Sequence, residues 1–228
     1  MKKPTLYVIA GANGSGKSTL IDKHRNLIKD IKFVNPDDIA KQIDPSYDGK
    51  NTTLMRKAGR EAIIQQNGLL KDGKSFGIET TFSGNRELKI MQNAKDQGYQ
   101  IKLVYICLNK PTYNIKRVEE RTRNGGHFVN SETIIRRYNK SISNMDKGIK
   151  IADKTYLVDN SSKKEFIVAK FQSEKVVSVT KKELPSWVKD KTTVYSKINT
   201  YKQVHKTIEK IVNNRVEKSK NKDRGLER

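Results

Sequence analysis

The feature that most constrains this chain is a glycine-rich segment between an apolar run and a helical pattern. The segment Gly11-Ala12-Asn13-Gly14-Ser15-Gly16-Lys17-Ser18 matches the spacing G-x4-G-K-[ST]. The apolar, β-branched run at residues 5–10 predicts a strand before it, and residues 17–29 predict a helix after it. A strand, a glycine-rich turn and a helix in this order are typical of a phosphate-binding loop (P-loop), so we expect a nucleotide site here.

Each part of the loop has an expected task. Glycines allow backbone N–H groups to converge on phosphate oxygens, and the start of the helix adds its positive dipole. Lys17 is expected to bridge the β- and γ-phosphates of ATP and to act in catalysis, and Ser18 is expected to bind Mg²⁺. A glycine loop that served only tight packing would not need Lys17. The predicted nucleotide-binding residues are Gly11, Ala12, Asn13, Gly14, Ser15, Gly16, Lys17, Ser18 and Thr19.

Predicted strands alternate with predicted helices through residue 159. Strands are expected at 5–10, 31–34, 76–80, 101–108 and 155–158, and helices at 17–29, 37–41, 52–72, 85–97, 111–123 and 131–147. This alternation predicts an α/β fold, namely the three-layer α/β/α arrangement of P-loop NTPases with a mainly parallel sheet. Apolar runs at 166–169 and 176–179 flank a polar turn and predict a small C-terminal hairpin, which the segment Leu184-Pro185-Ser186-Trp187 could anchor.

The positive charge of the chain is strong and unevenly distributed. The net charge is +22, and residues 163–228 carry 18 Lys and Arg against 8 Asp and Glu. We expect one kinase domain at 1–190 and a basic tail at 191–228, either helical or disordered. Such a charge attracts polyanions, so nucleic acid is one candidate partner of the tail.

Little in the sequence indicates a membrane or an oxidising compartment. No window approaches 18 apolar residues, and the start of the chain does not resemble a signal peptide. Cys107 is the only cysteine and lies in an apolar run, where a small buried side chain is expected. We therefore expect a soluble cytoplasmic protein with no membrane partner.

Two carboxylates are expected at the same rim of the sheet as the loop. Asp37 follows the second predicted strand and Glu79 lies near the end of the third, and open α/β sheets bind ligands at these strand ends. Asp37 could take the proton of an acceptor hydroxyl or bind a metal. Asp37 or Asp38 could also cap the next helix, and the two aspartates could perform one task each. Glu79 could coordinate Mg²⁺ through water or bind the acceptor hydroxyl, unless it is a surface residue.

A basic helix offers cations for a transferring phosphoryl group. Arg117 and Arg121 lie four residues apart and therefore on one helix face. A mobile lid ending at Gly125-Gly126 could bring them onto the phosphates, or they could simply pair with neighbouring glutamates.

Two further basic positions follow that helix. Arg136 and Arg137 on the next helix could add to the cluster, one facing in and one out. His127, after the glycines, is more typical of a loop anchor than of a general base.

Taken together, these motifs resemble the zeta toxin family of P-loop kinases, over roughly residues 4–160, and the stretch from Arg117 to His127 is similar to its shorter, stand-alone branch. The motifs are residues 11–19, Asn35-Pro36-Asp37, Glu79-Thr80-Thr81, and residues 117–127 with Arg136-Arg137-Tyr138.

The resemblance implies specific tasks for the residues in these motifs. Lys17 would contact ATP and Asp37 would be the general base. Glu79 and Thr81 would bind the acceptor, and Arg117 with Arg121 or Arg123 would stabilise the transferred phosphoryl group. The expected substrate-binding residues are Glu79, Thr81, Arg123 and Arg136. Family members studied as toxins phosphorylate the sugar 3′-hydroxyl of UDP-N-acetylglucosamine and are inhibited by an antitoxin, which implies a nucleotide-sugar acceptor and an antitoxin partner.

Three functions are compatible with these features. A small-molecule kinase follows from the carboxylates and arginines around the loop. A polynucleotide 5′-hydroxyl kinase would suit the net charge of +22, but the aromatic residues that stack single-stranded bases are sparse. A nucleotide-dependent switch without catalysis would need Lys17 but not Asp37.

Overall fold

A computed structural model describes residues 3–189 and 193–224 of the chain. Its strands are β1 (Thr5–Ala10), β2 (Lys32–Val34), β3 (Phe76–Thr80), β4 (Gln100–Cys107), β5 (Lys154–Asp159), β6 (Phe166–Gln172) and β7 (Lys175–Val179). Within the described residues they form one sheet in the order β2-β3-β1-β4-β5-β6-β7. Strands β1 to β5 run parallel, and β6 and β7 form an antiparallel hairpin at the edge. The predicted α/β fold, with its mainly parallel sheet and C-terminal hairpin, is confirmed.

Helices connect the parallel strands and continue beyond the hairpin. They are α1 (Lys17–Lys23), α2 (Pro36–Ile43), α3 (Thr52–Lys71), α4 (Arg86–Asp96), α5 (Pro111–Arg123), α6 (Ser131–Ile151), α7 (Ser186–Lys189) and α8 (Thr193–Arg224). Pro111 begins α5 because its fixed φ suits the first helical position, where its missing N–H is not needed.

Two helices differ from their predicted bounds. The predicted helix at 17–29 ends at Lys23 and is followed by a 3₁₀ turn, Arg25–Leu27. The helix predicted to end near Lys147 continues to Ile151. A Cβ at Gly148 would lie 2.7 Å from the ring of Phe82, so the helix needs glycine there to reach the core. The burial of Ile149 in that core extends the helix.

Alternating side chains cover the two faces of the sheet. On β1, Leu6 and Val8 belong to the main core with residues of α4 and α6 such as Met91 and Met145. Ile9 faces the other way and packs with residues of β4, β5 and α1. This period-two pattern places helices on both faces, as a parallel sheet requires.

A buried polar contact anchors the segment after the hairpin. Trp187 Nε1 donates a hydrogen bond of 2.8 Å to Asp159 Oδ2 at the end of β5, and both residues are at most 2% exposed. Ser186 donates from its N and Oγ to Asn109 Oδ1 at 3.0 and 3.2 Å. Trp187 therefore fastens this segment to the sheet, in the anchoring position expected for it.

The predicted tail is helical where the structure describes it. Val194 and Ile198 at the start of α8 are buried in the main core, whereas Val204 and Ile208 further along are about half exposed. The predicted boundary at 190 and 191 lies outside the described residues, as do residues 225–228, so the division into a domain and a tail stays a prediction.

Two sequence predictions concern the burial of Cys107 and the presence of membrane-spanning helices. Cys107 is buried, and burial raises the pKa of its thiol to about 12. None of the helices in the described ranges combines the length and the apolar content needed to cross a bilayer.

Replacing the anchor residue, Trp187→Phe, is expected to lower the free energy of unfolding by about 1–3 kcal/mol, because Asp159 loses its buried indole donor. Urea denaturation followed by circular dichroism measures this change. The control Lys181→Ala, at an exposed position, should stay within about 0.5 kcal/mol of the unsubstituted protein. Equal stability of both variants would contradict an anchoring role for Trp187.

Candidate active site

One large cavity lies against the P-loop. It has a volume of about 880 Å³ and is lined by loop residues and by residues at the carboxyl ends of β2, β3 and β5. The predicted site residues that line it are Asn13, Gly14, Gly16, Lys17, Ser18, Thr19, Asp37, Glu79, Thr81, Arg117 and Arg121. The parallel strands bring these residues together because their carboxyl ends share one rim.

Two loop glycines are required by conformation and by packing. Gly14 and Gly16 have φ of 74° and 96°, in the left-handed region that favours glycine. A Cβ at Gly14 would lie 2.6 Å from the carbonyl oxygen of Asn114, and one at Gly16 would collide with the amide of Asn160. The loop is thus both tightly packed and shaped to expose its backbone.

Lys17, Ser18 and Glu79 form a compact group at the start of α1. Lys17 Nζ lies 3.8 Å from Glu79 Oε1 and donates to the carbonyl oxygen of Ala12 at 3.3 Å. Ser18 Oγ lies within hydrogen-bonding distance of both carboxylate oxygens of Glu79, at 3.0 and 3.2 Å. The Glu79 side chain is only 14% exposed, so the alternative that Glu79 is a surface residue is wrong.

Burial and ion pairing shift the pKa values of Lys17 and Glu79 in opposite directions. Burial lowers the pKa of Lys17, and the nearby Glu79 carboxylate opposes that shift. Burial likewise raises the pKa of Glu79, while Lys17 and the Ser18 hydroxyl lower it. Each group therefore stabilises the charged form of the other.

The side chains here are compatible with Mg²⁺. Within the described ranges there is no cluster of three or more His, Cys, Asp or Glu side chains that could hold a metal ion by itself. Mg²⁺ does not need one, since it usually binds one or two protein oxygens together with substrate phosphates and water. The Ser18 hydroxyl and the Glu79 carboxylate are hard oxygen ligands adjacent to the P-loop and fit that requirement.

Asp37 reaches the cavity without serving as the helix cap. Asn35 caps α2, its Oδ1 accepting a 3.0 Å hydrogen bond from the N–H of Asp37. The carboxylate of Asp37 accepts no hydrogen bond from any described residue and lines the cavity. Burial, and next the charge of Asp37, raise the pKa of Asp38. The capping alternative for the two aspartates is therefore wrong.

Four arginines line the cavity among the described residues, namely Arg86 of α4 and three from α5 and α6, each of which is positioned by a hydrogen bond. Arg117 donates to the carbonyl oxygen of Asn160 at 2.8 Å, and Arg121 donates to that of His127 at 2.9 Å. Arg137 donates to Asn13 Oδ1 at 2.9 Å. Guanidinium groups from α5 and α6 thus converge on the P-loop.

Two predicted substrate-binding arginines lie elsewhere. Arg123 and Arg136 are exposed and do not line the cavity. On α6, the buried Ile134 and Tyr138 fix the helix orientation, which turns Arg137 inward and Arg136 outward. Arg137 therefore lines the cavity, whereas Arg136, which the sequence predicted to bind substrate, faces away from it.

Two loops meet over the Asp37 side of the cavity. Phe128 N donates to Asp48 O at 3.1 Å, and the rings of Tyr47 and His127 lie 5.6 Å apart between centroids. Burial and the charge of Asp37 raise the pKa of Tyr47 to about 12. Burial lowers the pKa of His127, although Asp37 raises it. Tyr47 Oη and His127 Nδ1 are buried without a hydrogen-bond partner in the described part of the chain.

Sequence reasoning missed several residues of the site. Asn160 follows β5 directly, and the rule that strand ends carry ligand-binding residues could have identified it. Asn114 lies on the first turns of α5, where nothing in the sequence distinguishes it from other polar residues. Both contact the P-loop.

Comparison with known proteins gives a family for this chain. The family model for the zeta toxin matches residues 1–172. An uncharacterized protein of Haemophilus influenzae (strain ATCC 51907 / DSM 11121 / KW20 / Rd) is 36% identical over 129 residues, which are 56% of this chain and 88% of that protein.

Solved structures share the fold at low sequence identity. A chain of the AvrRxo1-ORF1:-ORF2 complex with ATP superposes with a TM-score of 0.62 at 18% identity, over 78% of this chain and 60% of that one. This chain therefore spans less than two thirds of that protein. A chain from the PezAT chromosomal toxin-antitoxin system of Streptococcus pneumoniae superposes with a TM-score of 0.56 at 14% identity, over 93% and 88% of the two chains.

Because the family model matches residues 1–172, which are most of the chain, this chain belongs to the zeta toxin family.

Proposed function

We propose that the protein transfers the γ-phosphoryl group of ATP to a hydroxyl of a small acceptor. The observation that supports this most is the carboxylate of Asp37, which accepts no hydrogen bond from the described residues and lines the same cavity as Lys17. A nucleotide switch would not need a carboxylate there, whereas transfer to an alcohol needs a group that accepts its proton.

The P-loop and three arginines of the cavity bind the phosphate groups. The backbone N–H groups of Gly14 and Gly16, which form no hydrogen bond with the described residues, and the ammonium of Lys17 bind the β- and γ-phosphates. Arg117, Arg121 and Arg137 balance the charge that spreads over the γ-phosphoryl oxygens in the transition state.

The acceptor reacts on the Asp37 side. Its hydroxyl oxygen forms a bond to the γ-phosphorus as the bond to the β,γ-bridging oxygen breaks, and ADP leaves with that oxygen. The hydroxyl proton passes to the carboxylate of Asp37. Glu79 and Thr81, which also line the cavity, orient the acceptor.

Mg²⁺ would be held by Ser18, with Glu79 acting directly or through water. When bound, it neutralises charge on the β- and γ-phosphate oxygens. Ser18 Oγ lies 3.0 and 3.2 Å from the two carboxylate oxygens of Glu79, so both donors are close enough to hold one ion.

We further propose UDP-N-acetylglucosamine as the first acceptor to test and an antitoxin as the protein partner. Both follow from family membership, and a structural neighbour comes from a toxin-antitoxin system. Incubation with Mg-ATP labelled at the γ-position and a panel of nucleotide sugars, with 5′-hydroxyl RNA alongside, identifies the acceptor class.

The substitution Asp37→Asn is expected to lower phosphoryl transfer by about 10²–10⁴-fold, because the amide cannot accept the proton. The affinity for ATP should stay within a few-fold, since Asp37 lies on the acceptor side. Turnover is measured with the acceptor found above and ATP affinity by calorimetry. Lys17→Met should lower both the turnover and the affinity for ATP. Unchanged turnover in Asp37→Asn would favour a non-catalytic switch.

The neighbouring arginines on α6 form a matched pair for a second test. Arg137→Ala is expected to lower turnover by at least about a hundredfold, because one cation on the transferred phosphoryl group is lost. Arg136→Ala removes the same charge at an exposed position and should change turnover by less than about twofold. Steady-state kinetics of both variants measure this difference, and similar losses in the two would contradict the inward assignment of Arg137.

A further inference from the structure

Two asparagines outside the P-loop hold two of its carbonyl groups. Asn114 Nδ2 on α5 donates to the carbonyl oxygen of Asn13 at 2.7 Å. Asn160 Nδ2, directly after β5, donates to the carbonyl oxygen of Ser15 at 2.8 Å. These residues lie far from the loop in sequence, so only the fold brings them to it.

Holding a carbonyl also orients the next N–H group. In a trans peptide the C=O of one residue and the N–H of the next lie in one plane and point in opposite directions. No cis peptide occurs in the described ranges. Asn114 therefore orients the N–H of Gly14, and Asn160 orients the N–H of Gly16.

The N–H groups of Gly14 and Gly16 differ from the N–H group of Ser15, which lies between them in the loop. The N–H of Ser15 donates to the carbonyl oxygen of Ala12 at 3.1 Å. The N–H groups of Gly14 and Gly16 donate to no group in the described part of the chain. Both glycines line the cavity, so their N–H groups are available to a ligand there.

Both asparagines are restrained by their surroundings, although Asn114 Oδ1 is buried with no hydrogen-bond partner among the described residues. Asn114 is fully buried, and Asn160 accepts a hydrogen bond from Arg117 at its own carbonyl oxygen. Arg137 restrains the side chain of Asn13 from α6. The loop is thus braced from three separate elements, and the first turns of α5 are tied to it. The sequence predicts a mobile lid that ends at Gly125-Gly126. Because the first turns of α5 are tied to the P-loop, closure of such a lid would have to involve the residues of α5 after these turns.

We propose that Asn114 and Asn160 are positioning residues that preset the N–H groups of Gly14 and Gly16 for phosphate. The proposal rests on the proposed function only in requiring that the loop bind a polyphosphate. Donors that are aimed before the ligand arrives bind its charge without the cost of reorganising the loop. Each asparagine acts on one glycine, so their effects are separable.

The test uses tripolyphosphate, which reports on the loop without a nucleobase, and ATP alongside. Asn114→Ala and Asn160→Ala are each expected to weaken the binding of both ligands at least about tenfold in calorimetric titrations. Asn109→Ala is the matched control, because Asn109 holds Ser186 rather than the loop. It should lower the melting temperature while leaving tripolyphosphate affinity within about twofold.

Amide resonances distinguish positioning from a general loss of structure. In the unsubstituted protein, tripolyphosphate should move the amide proton signals of Gly14 and Gly16 downfield as hydrogen bonds form. Asn160→Ala should abolish the shift of Gly16 and keep that of Gly14, and Asn114→Ala should do the reverse. The more exposed Asn160 supplies this test even where the variant of buried Asn114 fails to fold.

The outcomes separate this proposal from the proposed function. If both variants bind tripolyphosphate as tightly as the unsubstituted protein and both glycine signals still shift, the positioning role is overturned while the nucleotide site stands. If the unsubstituted protein binds neither ATP nor tripolyphosphate, the proposed function fails together with it.

Discussion

The pairing of β3 beside β1 is the constraint on which the rest of this site depends. Its register places Glu79 opposite Ile9 and Thr80 opposite Ala10, and the N–H of Gly11 donates to the carbonyl oxygen of Thr80 at 3.1 Å. Because the strands are parallel, the carboxylate near the end of β3 lies beside the loop that follows β1. A slip of one residue would turn Glu79 to the opposite face of the sheet and separate it from the P-loop.

Around that rim, burial and ion pairing have opposite effects on the charged groups. Burial disfavours the charged forms of Lys17 and Glu79, and each is kept charged mainly by the other. Burial also lowers the pKa of Arg137, with the charge of Arg136 adding to the shift. Arg117, Arg121 and Arg137 donate to neutral oxygens and form no ion pair among the described residues, so their charge is available to an anion in this cavity. The carboxylate of Asp37 lines the same cavity.

Sequence patterns predicted regular structure well where local chemistry is strong. The predicted bounds of β1 and α5 agree with the structure, because a β-branched run ending in glycine and a proline at the first helical position are local signals. No such local signal predicted which of the two arginines of α6 faces the cavity. Adjacent helical residues point about 100° apart, so the sequence required Arg136 and Arg137 to face differently. Which of the two faces inward depends on the burial of Ile134 and Tyr138, which is a property of the packed core.

By itself, the amino-acid sequence determined the P-loop, the α/β order of elements and the rim that carries Asp37 and Glu79, because each follows from residue type and spacing within a short stretch. Only the tertiary structure decided which arginine enters the cavity and that Asn114 and Asn160 hold the loop. Those two hydrogen bonds join residues 101 and 145 positions apart. No local pattern encodes such contacts, because they form only after the helices have packed on the sheet.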